Sequence, residues 1–269
     1  MYPMYTRVKE ALSPSPHLLE KLDPAWFEGP PHMIICGSGH IARALCRIAV
    51  MVDFRVTVFD CKEEYLDPSA FPAGIRLLHD NYENLHHYLP EKYFGVITMG
   101  HDGDSVGCLR CMLDSGTEYV GVLASRRLSG ALKQQMLAEG YSSEQVERIY
   151  SPVGLKISGI TPNEIAISIL AEIIQIKNAG RRPAIISEEL LQQTSPGCLC
   201  VITDQEGHVP RARGSMMFVT RNRIFDSVGG SLTERTAIEK ARTCTIPFLQ
   251  TFPHGGTGNH VEILFIPMW

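Results

Sequence analysis

The 269-residue sequence carries no basic stripe. Its 25 lysines and arginines are interspersed with 29 acidic residues, for a net charge of −4. Nucleic-acid binders concentrate positive charge on one face or segment, so no nucleic-acid partner is expected. No apolar run approaches the roughly 20 residues that cross a bilayer, and no membrane partner is expected either. The amino-terminal MYPMYTRVKEALSPSPH lacks an apolar core, so it does not read as a secretory signal, and a soluble, cytoplasmic protein is expected. Eight cysteines in a chain of this length are too sparse for a small secreted disulfide framework. Cys108 and Cys111 form a C-x-x-C pair, but Cys198 and Cys200 have the wrong spacing to complete a metal site. Two thiols one turn apart on a helix are the simpler reading, and no metal is expected.

What is present is alternation. Residues 32–36 (HMIIC) form a short apolar run between Pro30–Pro31 and Gly37 and read as a buried strand. Apolar positions from Ile41 to Val52 then fall at helical spacing. Residues 55–59 (RVTVF) alternate and end at Asp60. Strand, glycine turn, helix, strand and acid make a dinucleotide-binding fingerprint in its G-x-G-x-x-A form, at Gly37, Gly39 and Ala42. Gly37 permits the tight turn and Gly39 the approach of a pyrophosphate to the helix start, where Ser38, His40 and Ile41 sit beside it. Asp60 falls where a carboxylate takes ribose hydroxyls. A turn of this kind that packs tightly and binds nothing stays open as the alternative.

Further strands are expected at 75–79, 94–99 and 119–123, with helices at 105–113 and 127–139. The fold class is therefore α/β: a Rossmann-like parallel sheet with helices on both faces. Ligands bind at the carboxyl ends of such strands. Those ends carry Gly37–His40, Asp60, the string Gly100, His101, Asp102 and Asp104, and Ser125, Arg126 and Arg127. Beyond residue 180 a smaller α+β domain is expected, with a helix at 185–193, strands at 198–203, 215–220 and 224–226, a helix from Leu232, and closing strands. The resulting organisation is an amino-terminal arm (1–31), a nucleotide-binding domain (32–180) and a small domain (181–269).

Four stretches, GSGHIARAL, VTVFD, YVGVLASRR and SPVGLKISGITPNEIAISILAEI, resemble the xanthine dehydrogenase accessory proteins, the XdhC/CoxI family. The last is the most specific. Its physics reads independently: Thr161 as N-cap, Pro162 at the first helical position, Glu164 as capping carboxylate, then an apolar stripe of Ile165, Ile169, Leu170 and Ile173. The small domain's GHVPR (207–211), GSMM (214–217) and GGSLTE (229–234) resemble the family's second glycine series, with His208 and Ser231 as departures. The two domains stand here in the reverse of the order usual in the family.

The resemblance implies a protein that binds the molybdenum cofactor, molybdopterin or its dinucleotide. Such a protein assists the cofactor's sulfuration and its insertion into a molybdenum hydroxylase apoenzyme. A cysteine desulfurase is the second implied partner, and a homodimer is expected. Gly229 and Gly230 before a helix suit an anion, and Arg211 with Arg213 suits a phosphate by forked hydrogen bonds. Exposed arginines in a polar turn are the alternative. Glu234 reads either as a functional carboxylate or as a first-turn acid complementing the helix dipole. His40 reads as a ligand contact or a cap. Two glycine turns, one per domain, would then take opposite ends of one anionic molecule. No nucleophile–base pair compels catalysis. The other readings are an NAD(P)-dependent oxidoreductase and an interaction scaffold.

Overall fold

A computed structural model describes residues 2–99, 105–117, 119–179, 186–207, 209, 211–230, 232–253 and 258–269. The chain forms two compact units, residues 31–179 and residues 1–30 with 180–269. Among the described residues no helix is long and apolar enough to cross a membrane. The chain begins with two helices, α1 (Pro3–Ala11) and α2 (Pro16–Leu19), each carrying proline in its first turn, where the missing N–H costs nothing.

The first unit to close is the nucleotide-type domain. Its elements are β1 (His32–Cys36), α3 (His40–Met51), β2 (Arg55–Asp60), β3 (Arg76–His79), β4 (Phe94–Ile97), α4 (Ser105–Asp114), β5 (Val120–Val122), α5 (Arg126–Ala138), α6 (Ser143–Glu147), β6 (Ile149–Tyr150) and α7 (Pro162–Lys177). All pairings are parallel, in the order β3-β2-β1-β4-β5-β6. Alternation along β1 supplies both faces of the sheet. Met33 and Ile35 join Val56 and Val58 in one core, while Ile34 and Cys36 join Phe59 and Ile97 in the other. The first core also takes Ala42, Leu45, Cys46 and Ala49 of α3 with Ala166, Ile169, Leu170 and Ile173 of α7. Small residues on both helices let their backbones approach. At the start of α7 the capping box is complete: Thr161 Oγ1 accepts from the Glu164 amide at 3.3 Å, and Glu164 Oε2 accepts from the Thr161 amide at 2.9 Å.

The other unit contains α8 (Glu188–Leu191), β7 (Gly197–Glu206), β8 (Met216–Val219), β9 (Ile224–Asp226), α9 (Leu232–Thr243), β10 (Phe248–Pro253) and β11 (His260–Met268). Its sheet is antiparallel in the order β10-β11-β7-β8-β9. Met216 and Met217 are both fully buried, one on each face of that sheet. One face is covered by α9. The other is covered by the segment expected as an amino-terminal arm. Met4, Val8, Leu12, Leu22 and Phe27 pack with Leu199, Phe218 and Leu264, because a sheet with two apolar faces needs a second cover. Arg7 ties that segment down, donating to the carbonyls of Gln193 at 2.9 Å and Met268 at 3.1 Å.

Candidate functional site

Between β1 and β4 the strand order reverses direction, and a crevice opens at the carboxyl ends of those strands. Gly37, Ser38, Gly39, His40, Arg43, Asp60, Cys61, Lys62, Tyr65, Tyr82, Thr98 and Met99 line a cleft there of about 320 Å³. Gly37 has φ +97°, and a Cβ on it would stand 2.8 Å from Met99 Cγ and 3.1 Å from the Met99 backbone nitrogen. Only glycine makes this turn cheaply. Gly39 is different: nothing lies within 4 Å of where its Cβ would be.

Gly39 is also the N-cap of α3, and no side chain caps that helix. The first amides of a helix have no intrahelical partner. Serine or threonine caps α5, α6, α7 and α8, through Ser125, Ser142, Thr161 and Ser187. The α3 start therefore presents open N–H groups and the positive end of the helix dipole to the cleft, with room for an anion.

Asp60 is 5% exposed and already engaged. Its Oδ2 accepts from Ser38 Oγ at 2.6 Å, and its Oδ1 from the Lys62 amide at 3.0 Å and Tyr82 Oη at 3.3 Å. Burial, then the Asp60 charge, pushes the Tyr82 phenol well above its ordinary range, so it stays a donor. Asp60 thus braces the glycine turn as well as facing the cleft. Arg43 braces the opposite wall: its Nε donates to the Ser38 carbonyl at 3.0 Å and its Nη2 to the Tyr65 carbonyl at 3.3 Å. Lys62 Nζ lies 5.4 Å over the Tyr65 ring.

His40 is exposed at the first position of α3 and lines the cleft. Ile41 is half-buried and packs into the core. Ser125 serves as the α5 cap, accepting from the Leu128 amide at 3.3 Å, and Arg126 and Arg127 follow it, exposed. Gly100, His101, Asp102 and Asp104 lie outside the described residues. Arg43, Tyr65, Tyr82, Thr98 and Met99 were not anticipated from the sequence. The spacing of Arg43 three residues after His40 on a helix is the signal that could have found it. The PVGLKI loop (152–157), expected from the sequence to be the part of that stretch that approaches a ligand, does not line this cleft.

In the small unit, Gly230 is open, with nothing within 4 Å of a Cβ. The neighbouring Gly229 amide is not free for a ligand, because Ser227 Oγ accepts from it at 3.0 Å. Ser227 in turn donates to the Glu234 carboxylate, so Glu234 closes the turn that precedes its own helix. Arg213 lies 5.5 Å over the Trp26 ring, and Gly214 faces the same indole. Arg211 is half-buried in that loop. Among the described residues no group of three His, Cys, Asp or Glu side chains is placed to hold a metal. Cys108 is buried and Cys111 half-buried on α4, and neither forms a disulfide.

The strand order, the glycine turn and the uncapped helix define a Rossmann-type domain with a crevice suited to phosphate. Residues 33–173, more than half the chain, match the family described as "XdhC Rossmann domain", and residues 190–246 match "XdhC and CoxI family". The chain belongs to this family of xanthine dehydrogenase accessory proteins, with the Rossmann domain first. It is 34% identical over 152 residues to an Escherichia coli K12 protein called "Uncharacterized protein YqeB", covering 55% of this chain and 28% of that one. It is 30% identical over 163 residues to a Bacillus subtilis 168 protein described as a probable xanthine dehydrogenase subunit, covering 60% of this chain and 46% of that one. A crystal structure of a xanthine dehydrogenase from Bacillus halodurans superposes with a TM-score of 0.50 at 27% identity, over 57% of this chain and 44% of that one. The chain thus spans less than half the length of each of these relatives.

Proposed function

We propose that this chain is an accessory protein that binds the molybdenum cofactor, as molybdopterin or its dinucleotide. It would assist the cofactor's sulfuration and its insertion into a xanthine dehydrogenase-type molybdenum hydroxylase. The observation that carries the reading is the uncapped α3 start with open space over Gly39. That cradle fits the phosphate of an anionic pterin, and a side chain in place of Gly39 would fill it. Ser38, Gly39 and His40 would hold the phosphate, while Lys62 and Tyr65 border the rest of the ligand. The cofactor supplies redox chemistry to the hydroxylase that receives it, and this chain's residues bind, orient and shield it.

The hydroxylase apoenzyme and a cysteine desulfurase are the proposed partners, and a homodimer the proposed assembly. An NAD(P)-dependent oxidoreductase is the competing reading, and the strand order favours it equally. Against it, Ser38, Tyr82 and the Lys62 amide already take three of the roughly four acceptor positions of the Asp60 carboxylate, which leaves it little for a ribose. Mass spectrometry of small molecules released from the full chain, purified from a molybdate-fed host, separates the two. A molybdopterin species on the wild-type chain and none on Gly39→Ala is the expected result. Nicotinamide dinucleotide in its place, with turnover, would overturn the proposal.

A further inference from the structure

A second cleft adjoins the first on α3, lined by His40, Arg43, Arg47, Ala70, Pro162 and Asn163. His40 and Arg43 border both. The three basic positions are spaced i, i+3 and i+7, which places them on one face of the helix. Between His40 and Met51 α3 carries no acid at all, in a chain whose net charge is −4. The dipole of a helix favours acids in its first turn, and α6, α7 and α8 have them in Glu144, Glu164 and Glu188. In α3 His40 and Arg43 instead stand near the positive end, where they repel it unless an anion intervenes, and Arg47 extends the same basic face one turn further on.

The surroundings neutralise them only in part. Arg43 donates to the carbonyls of Ser38 and Tyr65, which bring no compensating negative charge. Arg47 is exposed and makes no ion pair among the described residues. The Ser69 hydroxyl at 2.7 Å and the Ser69 amide at 2.9 Å hold the Asp67 carboxyl below its ordinary range, so Asp67 stays ionised and offsets part of the Arg43 charge, while Arg47 is left without an ion pair among the described residues.

We propose that this second cleft is an anion subsite, taking a phosphate remote from the one at the Gly37–His40 turn. Arg47 begins seven residues along α3 from His40, about 10 Å at 1.5 Å per residue, and its side chain leans back toward the helix start. The two anions then lie roughly 6–10 Å apart, too far for adjacent phosphates but within reach of a triphosphate chain or a phosphorylated ribose. The subsite rests on the turn holding an anion, and not on that anion being a pterin.

Isothermal titration of the full chain with AMP, ATP and adenosine 2′,5′-bisphosphate tests it. At least one of the two probes with more than one phosphate should bind about 10-fold tighter than AMP, a margin of ~1.4 kcal/mol. Arg47→Ala should erase that margin, Arg47→Lys should keep most of it, and AMP affinity should stay unchanged in both. Which probe gains tells a phosphate chain from a ribose phosphate. Equal affinity for all three probes would overturn the subsite, and so would an Arg47→Ala loss shared by AMP. If AMP fails to bind while ATP or the bisphosphate binds through Arg47, the subsite stands and the turn as an anion site falls. If none of the three binds, both fall.

Discussion

Two neighbouring glycines in one turn should respond in opposite ways to the same methyl group. At Gly37, φ is +97° and an added Cβ would stand 2.8 Å from Met99 Cγ and 3.0 Å from Thr98 Oγ1. A left-handed alanine costs about 1–2 kcal/mol, and forcing the Met99 backbone aside adds about the same again. Gly37→Ala should therefore lose about 3 kcal/mol. For a cooperative unit near 150 residues that lowers the melting temperature by roughly 6–12 °C. At Gly39 the alanine meets nothing within 4 Å. Gly39→Ala should melt within about 2 °C of wild type, and alanine in place of glycine even restricts the unfolded chain. Its methyl would occupy the space over the α3 amides, so AMP binding by titration calorimetry should fall at least about 30-fold, ~2 kcal/mol. A Gly39→Ala chain that binds AMP like wild type would refute the cradle. A Gly37→Ala chain that melts like wild type would refute the account of the turn.

Three further outcomes follow from the packing. His32 sits half-buried at the start of β1, and burial, then Arg55 and Arg76, lower its pKa to about 4. Between that value and the ~6.5 of an unfolded histidine, the unfolded chain binds the proton that the native imidazole refuses, so stability rises with pH across pH 4–6.5 and is flat above it. The change should be about 1–2 kcal/mol after solvent screening, and urea titrations of His32→Gln should lose that slope. Glu172 Oε2 accepts from Tyr119 Oη at 2.9 Å and from the Gly154 amide at 3.1 Å. Glu172→Ala should cost about 2–3 kcal/mol in the same assay, because Tyr119 is fully buried and its hydroxyl would be stranded; Tyr119→Phe should cost less. Among the cysteines, Cys61 is half-buried on the cleft wall, whereas burial drives the Cys46 thiol up to about 12 and raises Cys111 as well. Iodoacetamide followed by peptide mass spectrometry should find Cys61 modified first, and AMP should slow it; equal labelling with and without AMP would place the ligand elsewhere.

Local chemistry was legible along the chain. The period-2 run of residues 55–59, the helical spacing after Gly39, and Thr161-Pro162 with Glu164 each specify an element through forces that act within a few residues. The topology followed from alternation of strand and helix, since a parallel sheet with covered faces leaves few arrangements. Family membership was legible in the stretch 151–173, most of which builds the α7 cap and its apolar stripe. Gly37 and Gly39 were legible as a pair, but not the difference between them. That difference depends on Met99 and Thr98, sixty residues away in sequence and adjacent only once β4 pairs with β1.

Packing governs which polar groups are already satisfied. Asp60, placed by its sequence position where a ribose would be, meets Ser38, Tyr82 and the Lys62 amide only when three loops converge at the sheet's edge. Glu234 is turned inward to Ser227, and Met4, Val8, Phe27 and the buried leucines of the first 30 residues cover an apolar sheet face formed almost two hundred residues later. The elements, their order and the glycine turn were written in the order of residues, because propensity, capping and periodicity are short-range. Whether a given carboxylate or amide is spent within the fold or open to a ligand depends on partners brought together from distant segments, and only that assembly settled that α3 starts uncapped beside an open cleft.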